Sequence, residues 1–501
     1  MTSMELLKQR TADIVSLQTT SAVLEWDQQT QMPPAGTARR ASQLALLKKL
    51  SHDMFISSQT EQLLVAAEGE AEALDPDSDD SAFIKVVRRD FDKAAKLPTK
   101  LVEEIASTGS LANEQWQAAR AQSNYAKFAP WLEKTLDLQR QVANHLGFKD
   151  ERYDALLDLY EPEMSAAAVR TMFGQIKPPL VKLVKQIVGR GPDFVDTEPL
   201  TRECDEEKQR TFNEMVIKAF GFDFTRGRQD RAVHPFCTSF SNNDVRITTR
   251  YDSHFLPSAL FGSLHETGHA LYEMGVAGRY DGNMLQGGVS LGIHESQSRL
   301  WENLVGRSRG FWTCFYPQLQ SQFPALGDVT LDAFYKAINR VKPSLIRVEA
   351  DEITYNLHIL LRFEIEIEML EGRLSVADAP AAWNAKCEEY LGLTPANDAE
   401  GILQDVHWSW GAIGYFPTYS LGNVISVQLF EAASHSLGGE VPAQIERGEF
   451  APLREWMSTN IYQWGRKYTP VELVQRSTSR SIDTTPYINY LTRKFGEIYK
   501  L

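Results

Sequence analysis

Apolar residues three and four positions apart dominate the chain. From Leu6 to Leu24, from Ser42 to Val65 and from Phe83 to Ala106 they form the stripes of amphipathic helices. A further helix is predicted from an N-cap at Ser165 to Val188, where Gly189-Arg-Gly-Pro192 breaks the pattern. Another is predicted over the uninterrupted run from Pro343 to Leu370, closed by Gly372. Strand signal is sparse. Val245 to Tyr251 alternates and is rich in β-branched residues, so strands are expected only near residues 237–251. Asp75-Pro-Asp-Ser-Asp-Asp80 superficially resembles a calcium loop. Asp80 stands where glycine is needed and Val86 where glutamate is needed, so it reads as a solvated turn.

The pattern predicts a mainly α protein. No fixed-period repeat and no long linker interrupts it, so one catalytic domain is expected over residues 1–501. Within it an N-terminal helical lobe would cover about 1–230 and a second lobe about 231–501. A formal net charge of −14 and a pI of about 5.3 argue against nucleic acid or an anionic membrane as the main partner. Polar interruptions such as Gln18, Thr19, Thr20 and Glu25 rule out an apolar leader core there, and no apolar run is long enough to span a bilayer. Cys204, Cys237, Cys314 and Cys387 lie without CxxC spacing, as reduced thiols of a cytoplasmic enzyme would.

The chemistry lies in His265-Glu-Thr-Gly-His269. Histidines four apart on a helix sit one turn above each other, so both rings can reach one metal ion. Glu266 stands beside that face, where it can take a proton from water held by the metal. A surface helix carrying these residues by accident is the bland alternative. Local composition opposes it, because Glu266 is the only full charge between Leu256 and Tyr272, and a lone carboxylate on a buried helix needs a cation or hydrogen bonds. A catalytic site needs a third protein ligand. Glu295, 26 residues past His269, opens the next helical segment and is the first choice, its alternative role being an i,i+4 salt bridge to Arg299. Glu302, His294 and Glu273 are weaker candidates, Glu273 being one turn past His269 and expected to point away.

These residues, with His294-Glu-Ser-Gln297, resemble the thermostable carboxypeptidase family of zinc peptidases. Four more of its signatures follow in order: His234-Pro-Phe236, Asp244-Val-Arg-Ile-Thr248, Ile346-Arg-Val-Glu-Ala-Asp351 and Gly401-Ile-Leu-Gln-Asp-Val-His-Trp408. Trp26-Asp27, Met32-Pro33 and the segment from Tyr153 to Pro162 are also similar, so the resemblance spans essentially the whole chain. It implies a helical fold with a deep central groove, a small β-hairpin or sheet beside the metal helix, and a homodimer. The implied activity removes single C-terminal amino acids from peptides with broad preference. One Zn2+ would be held by His265, His269 and Glu295, with Glu266 as base. Cobalt or manganese could use the same ligands.

Other motif residues are candidates for substrate contacts. The Asp244–Thr248 strand edge could pair with an extended peptide, or be an ordinary buried hairpin. His234 could bind substrate or be structural. Gln404, Asp405 and His407 form a polar network or a lid with Trp408 and Trp410. A phenol of the Gly411–Gly422 loop, Tyr419 ahead of Tyr415, or His407, could hold the oxyanion. Arg347 suits the free carboxylate of a chain end, with Arg246 second. The structural alternative for Arg347 is a salt bridge to Glu349, Asp351 or Glu352. An endopeptidase or aminopeptidase on the same core, and a peptide-binding scaffold without turnover, are the rival functions. Intact Glu266 argues against the scaffold.

Overall fold

The computed structural model describes residues 1–501. Helices make up most of the chain and one three-stranded sheet accompanies them. The chain forms two compact units. The first comprises Met1–Ala95, Thr197–Ile338 and Leu429–Ser481, and the second Lys96–Asp196, Asn339–Gln428 and Ile482–Leu501.

In the first unit, helix Ser3–Thr30 begins at a capping box. The Thr2 hydroxyl accepts from the Glu5 amide at 3.1 Å, and the Glu5 carboxylate accepts from the Thr2 amide at 2.9 Å. Its Leu7 and Ile14 pack with Leu64, Phe83, Val87 and Phe91 into a core that also takes in Tyr280 and Leu285. Two expected helices prove to be pairs. The stripe from Ser42 to Val65 is divided between Thr37–Phe55 and Ser58–Ala71, because the Ser57 side chain caps a new start. The stripe from Phe83 to Ala106 is divided between Asp79–Lys96 and Thr99–Ala121 at Pro98, which disfavours helical backbone in the residue before it. Periodicity ran through both breaks because the apolar phase survives a short interruption.

The sheet has the order β1-β3-β2, with β1 Gly227–Arg231, β2 Cys237–Ser241 and β3 Asp244–Thr249. β1 runs parallel and β2 antiparallel to β3, with Cys237 opposite Ile247. The expected strand is therefore present, but it is the central one. Both sides of β3 are already paired, so it offers no edge to a peptide. β1 lay outside the expected region because Gly-Arg-Gln-Asp-Arg has no strand propensity; pairing with β3 makes it a strand. Val245 and Ile247 are fully buried, and the Thr249 hydroxyl donates to the Ala259 carbonyl of helix Leu256–Gly275.

In the second unit, helix Ala166–Val188 starts where Ser165 accepts from the Ala168 amide at 3.2 Å, as expected. The run from Pro343 is helical only over Tyr355–Leu370. Before it, the Asp351 carboxylate accepts from the amides of Lys342, Ile353 and Thr354 and from the Thr354 hydroxyl. A side chain that takes several local amides holds the backbone out of a helix. Arg347 consequently lies in a one-turn 3-10 segment, Arg347–Glu349.

Ile247→Ala removes a fully buried side chain between the sheet and helix Leu256–Gly275. It should cost about 2–5 kcal/mol, read as a lower urea midpoint by circular dichroism. An unchanged midpoint would mean that the sheet does not support the helix.

Candidate metal centre

Helix Leu256–Gly275 carries His265, Glu266 and His269, and helix Leu291–Arg299 carries Glu295. The two backbones nearly touch at Gly268. A Cβ there would lie 2.5 Å from the Gln297 carbonyl oxygen and 2.6 Å from the Ser298 Cα. The absent side chain is what allows Glu295 to reach the histidines. Polar side chains also anchor the first helix, since Gln229 and Asn213 both donate to the Ser263 hydroxyl, at 2.8 and 3.2 Å.

His265 Nε2 and His269 Nε2 each lie 3.6 Å from Glu295 Oε2. The three side chains offer ligand atoms all within 4.8 Å of one another. Tetrahedral ligands at about 2.0–2.1 Å from a zinc ion stand about 3.3–3.5 Å apart, so this donor set fits a small divalent metal with little adjustment. The alternative role of Glu295 is present as well. Its Oε1 accepts from Arg299 Nε at 2.7 Å while Oε2 faces the imidazoles, and Ser298 Oγ donates to Oε2 at 3.0 Å.

Of the three weaker ligand candidates, Glu302 and His294 stand one hydrogen bond beyond a ligand, and Glu273 stands two, behind His294. His265 Nδ1 lies 3.0 Å from Glu302 Oε2, and Glu302 also accepts from Arg299 and Arg307. Burial pushes the Glu302 carboxyl up, but Arg299, His265 and Arg307 outweigh it and hold the group well below the usual carboxylate range. His269 Nδ1 lies 2.7 Å from His294 Nδ1, and His294 Nε2 lies 2.7 Å from Glu273 Oε1. Spacing alone hid these supporting roles, although Arg299 and Glu302, four and seven residues past Glu295, mark one face of the same helical path.

Glu266 is 6% exposed. Burial pushes its carboxyl up to about 7, the charges of Glu295 and Glu302 adding to the rise and His265 and His294 opposing it. A divalent cation at the ligands would pull that value down again.

Of the candidate substrate residues, His234 and Arg246 belong to the same unit as the metal-ligand group. His234 is exposed. Arg246 makes a two-pronged pair with Asp244, both contacts at 2.8 Å, and stacks over Trp26 at 4.2 Å and Phe240 at 4.9 Å.

The other four gather in the second unit. Arg347 is 6% exposed and donates through Nε and Nη2 to Asp405 Oδ1 at 2.9 and 2.7 Å, and through Nη1 to the Tyr355 hydroxyl at 3.0 Å. Its salt bridge is thus with Asp405 and not with the sequence-near Glu349, Asp351 or Glu352. Arg362, fully buried, donates to the other oxygen of Asp405 at 2.6 Å. The Tyr419 hydroxyl lies 3.4 Å from His407 Nε2, and the rings of Tyr415 and Phe416 pack on His407. Burial lowers His407 to about 4 and His358 to about 3, so both are neutral near pH 7. Gln404 accepts from the Arg347 amide at 2.8 Å, and Trp408 donates to buried Glu366.

A helical fold carrying two histidines and a glutamate around one metal-sized space defines a metallopeptidase of the HExxH type. Residues 6–495 match the family model described as carboxypeptidase Taq (M32) metallopeptidase. Thermostable carboxypeptidase 1 of Thermus thermophilus is 41% identical over 98% of this chain and 97% of its own length. Carboxypeptidase 1 of Bacillus subtilis is 37% identical over 96% and 95%. The crystal structure of an M32 carboxypeptidase from Deinococcus radiodurans R1 superposes with a TM-score of 0.96 at 40% identity, covering 100% of both chains. The chain belongs to the M32 carboxypeptidase Taq family and is a metallocarboxypeptidase. No helix is long and apolar enough to cross a membrane.

Gly268→Ala should keep the helix, since alanine favours it, yet force the two helices apart. Metal per chain after dialysis should fall strongly while far-UV circular dichroism stays unchanged. Full metal content in this variant would mean that the close approach is dispensable.

Proposed function

We propose that the protein is a zinc-dependent carboxypeptidase that hydrolyses the C-terminal peptide bond of peptides and releases single amino acids with broad preference. The observation that carries the reading is the convergence of His265 Nε2 and His269 Nε2 on Glu295 Oε2, at 3.6 Å each, beside the buried carboxyl of Glu266. His265, His269 and Glu295 hold the ion. A bound divalent metal supplies Lewis acidity, which makes water more acidic and the scissile carbonyl more electrophilic.

The remaining steps belong to the chain's own residues. Glu266 takes the proton of the attacking water and returns it to the leaving amine, acting first as base and then as acid. Tyr419, with Tyr415 and His407 around it, is the group we assign to the developing oxyanion. Arg347 reads the free α-carboxylate. Supporting that role, Arg347 and Arg362 both pair with a single carboxylate, Asp405, while His358 and His407 stay neutral. A substrate carboxylate would be a second anionic partner for Arg347, and buried guanidinium is well suited to it. His234 and Arg246 are assigned to substrate binding on the metal-centre side of the chain. The reading includes a homodimer and a cytoplasmic location, the latter in keeping with four free thiols.

Glu266→Gln should keep the metal and lose about 10²–10⁴-fold in kcat on an N-blocked dipeptide, because the amide preserves shape but cannot accept the proton. Chelation should abolish wild-type activity and added Zn2+ restore it. A Glu266→Gln enzyme within tenfold of wild type would require another base.

Arg347→Ala should lower kcat/KM strongly on free-acid peptides, by several kcal/mol of transition-state binding, and change the already slow cleavage of C-terminally amidated peptides little. Because Arg347 also pairs with Asp405, thermal melting is measured alongside. Equal loss on both substrates, with a lowered melting point, would assign Arg347 to the fold alone.

A further inference from the structure

We propose that Glu273 is a positioning residue for the metal: acting through His294, it fixes which ring nitrogen of His269 carries the proton and so leaves His269 Nε2 free to ligate. The inference rests on the assignment of His265, His269 and Glu295 as the ligands.

The argument is one of donors and acceptors. Neutral imidazole carries one N–H and one lone pair, and only the lone pair binds metal. His269 Nδ1 and His294 Nδ1 face each other at 2.7 Å, so a single proton lies between them. If His269 donates it, His269 Nε2 is bare and points at Glu295. If His294 donates it, in any protonation state, His269 must accept with Nδ1 and carries its own proton on Nε2, where the metal has to bind. The far side of His294 decides between the two. Its Nε2 lies 2.7 Å from Glu273 Oε1, and a carboxylate can only accept. A neutral His294 therefore carries its one proton on Nε2, its Nδ1 accepts from His269, and the ligand nitrogen is left bare.

Glu273 is built for that acceptor role. It lies one turn beyond His269 on the same helix, which puts both side chains on one face with the His294 ring between them. The Gly288 amide donates to the same Oε1 at 3.1 Å. Burial pushes the Glu273 carboxyl up, yet the bonds from His294 and the Gly288 amide outweigh it, so the group stays ionised. Gly288 itself leaves room for the ring, because a Cβ there would fall on His294 Cδ2. His265 reaches the same end directly, through Glu302 at 3.0 Å. A carboxylate beyond a metal-binding histidine is a recurring device for fixing its tautomer, and here one histidine is inserted into it.

The test uses zinc-loaded enzyme labelled with 15N-histidine. His269 is expected to show a proton on Nδ1 and a zinc-shifted Nε2, and His294 a proton on Nε2 only. Glu273→Leu, which has no acceptor, should weaken Zn2+ binding about 10–100-fold in competition with a chelator. Glu273→Gln keeps a carbonyl oxygen for His294 and should bind close to wild type. A proton on His294 Nδ1 in the wild-type enzyme overturns the proposal, and decides the matter alone should the leucine variant not fold. Equal zinc affinity of the leucine variant and wild type, with His269 Nε2 still shifted by zinc, overturns the role of Glu273 and leaves the ligand assignment standing. Zinc binding that leaves His269 Nε2 unshifted overturns both.

Discussion

Everything at the metal centre depends on how closely two helices approach at Gly268. The helix Leu256–Gly275 presents two imidazoles on one face, but that face becomes a three-donor set only when Glu295 comes within reach from the neighbouring helix. Backbone carbonyl and Cα atoms of Gln297 and Ser298 occupy the place where any side chain at 268 would stand. The same contact brings His294 against His269 and sets Arg299 against both Glu295 and Glu302. A close helix–helix approach is thus the condition for the ligands and their supports at once. Glycine costs the helix about 1 kcal/mol relative to alanine, a cost that the packing here must offset.

The sequence made the ligands legible because they obey local rules. An i,i+4 histidine pair on an uncharged helix needs no knowledge of the fold, and Glu295 follows from the next N-terminal turn. Ser165 was readable as a cap for the same reason. What stayed hidden depends on contacts distant in sequence. Asp405, 58 residues beyond Arg347, is its true partner, whereas nearby Glu349, Asp351 and Glu352 were the expected ones. Asp351 instead gathers backbone amides and ends the helix that periodicity extended back to Pro343. β1 has no strand character of its own, and the edge expected at β3 vanished once β1 and β2 paired with it. Glu273, Glu302 and His294 were visible as candidates, but only the fold shows that Glu302 and His294 stand one bond behind a ligand and Glu273 one bond further.

Charge balance ties the metal centre to a divalent cation. Around the metal-ligand group stand three buried carboxylates, Glu266, Glu295 and Glu302, a half-buried fourth, Glu273, and two guanidinium groups, Arg299 and Arg307, that pair with Glu295 and Glu302. With neutral histidines the carboxylates exceed the guanidiniums by two charges, the charge of one divalent cation. Buried charge without a counter-ion is expensive, and the rise of Glu266 to about 7 is how that cost appears when no cation is counted. In the second unit two buried guanidinium groups share one ion-pair partner. Arg347 and Arg362 converge on Asp405, and the buried carboxyl of Glu366, pushed up to about 7 by burial, lies one turn beyond Arg362. Stability does not call for the imbalance at the metal centre, since an equal number of opposite charges, or none, would be cheaper to bury. The surplus at the metal centre is better accounted for as preorganisation: ion pairs with Arg299 and Arg307 hold the carboxylates in place, and a divalent cation completes the balance.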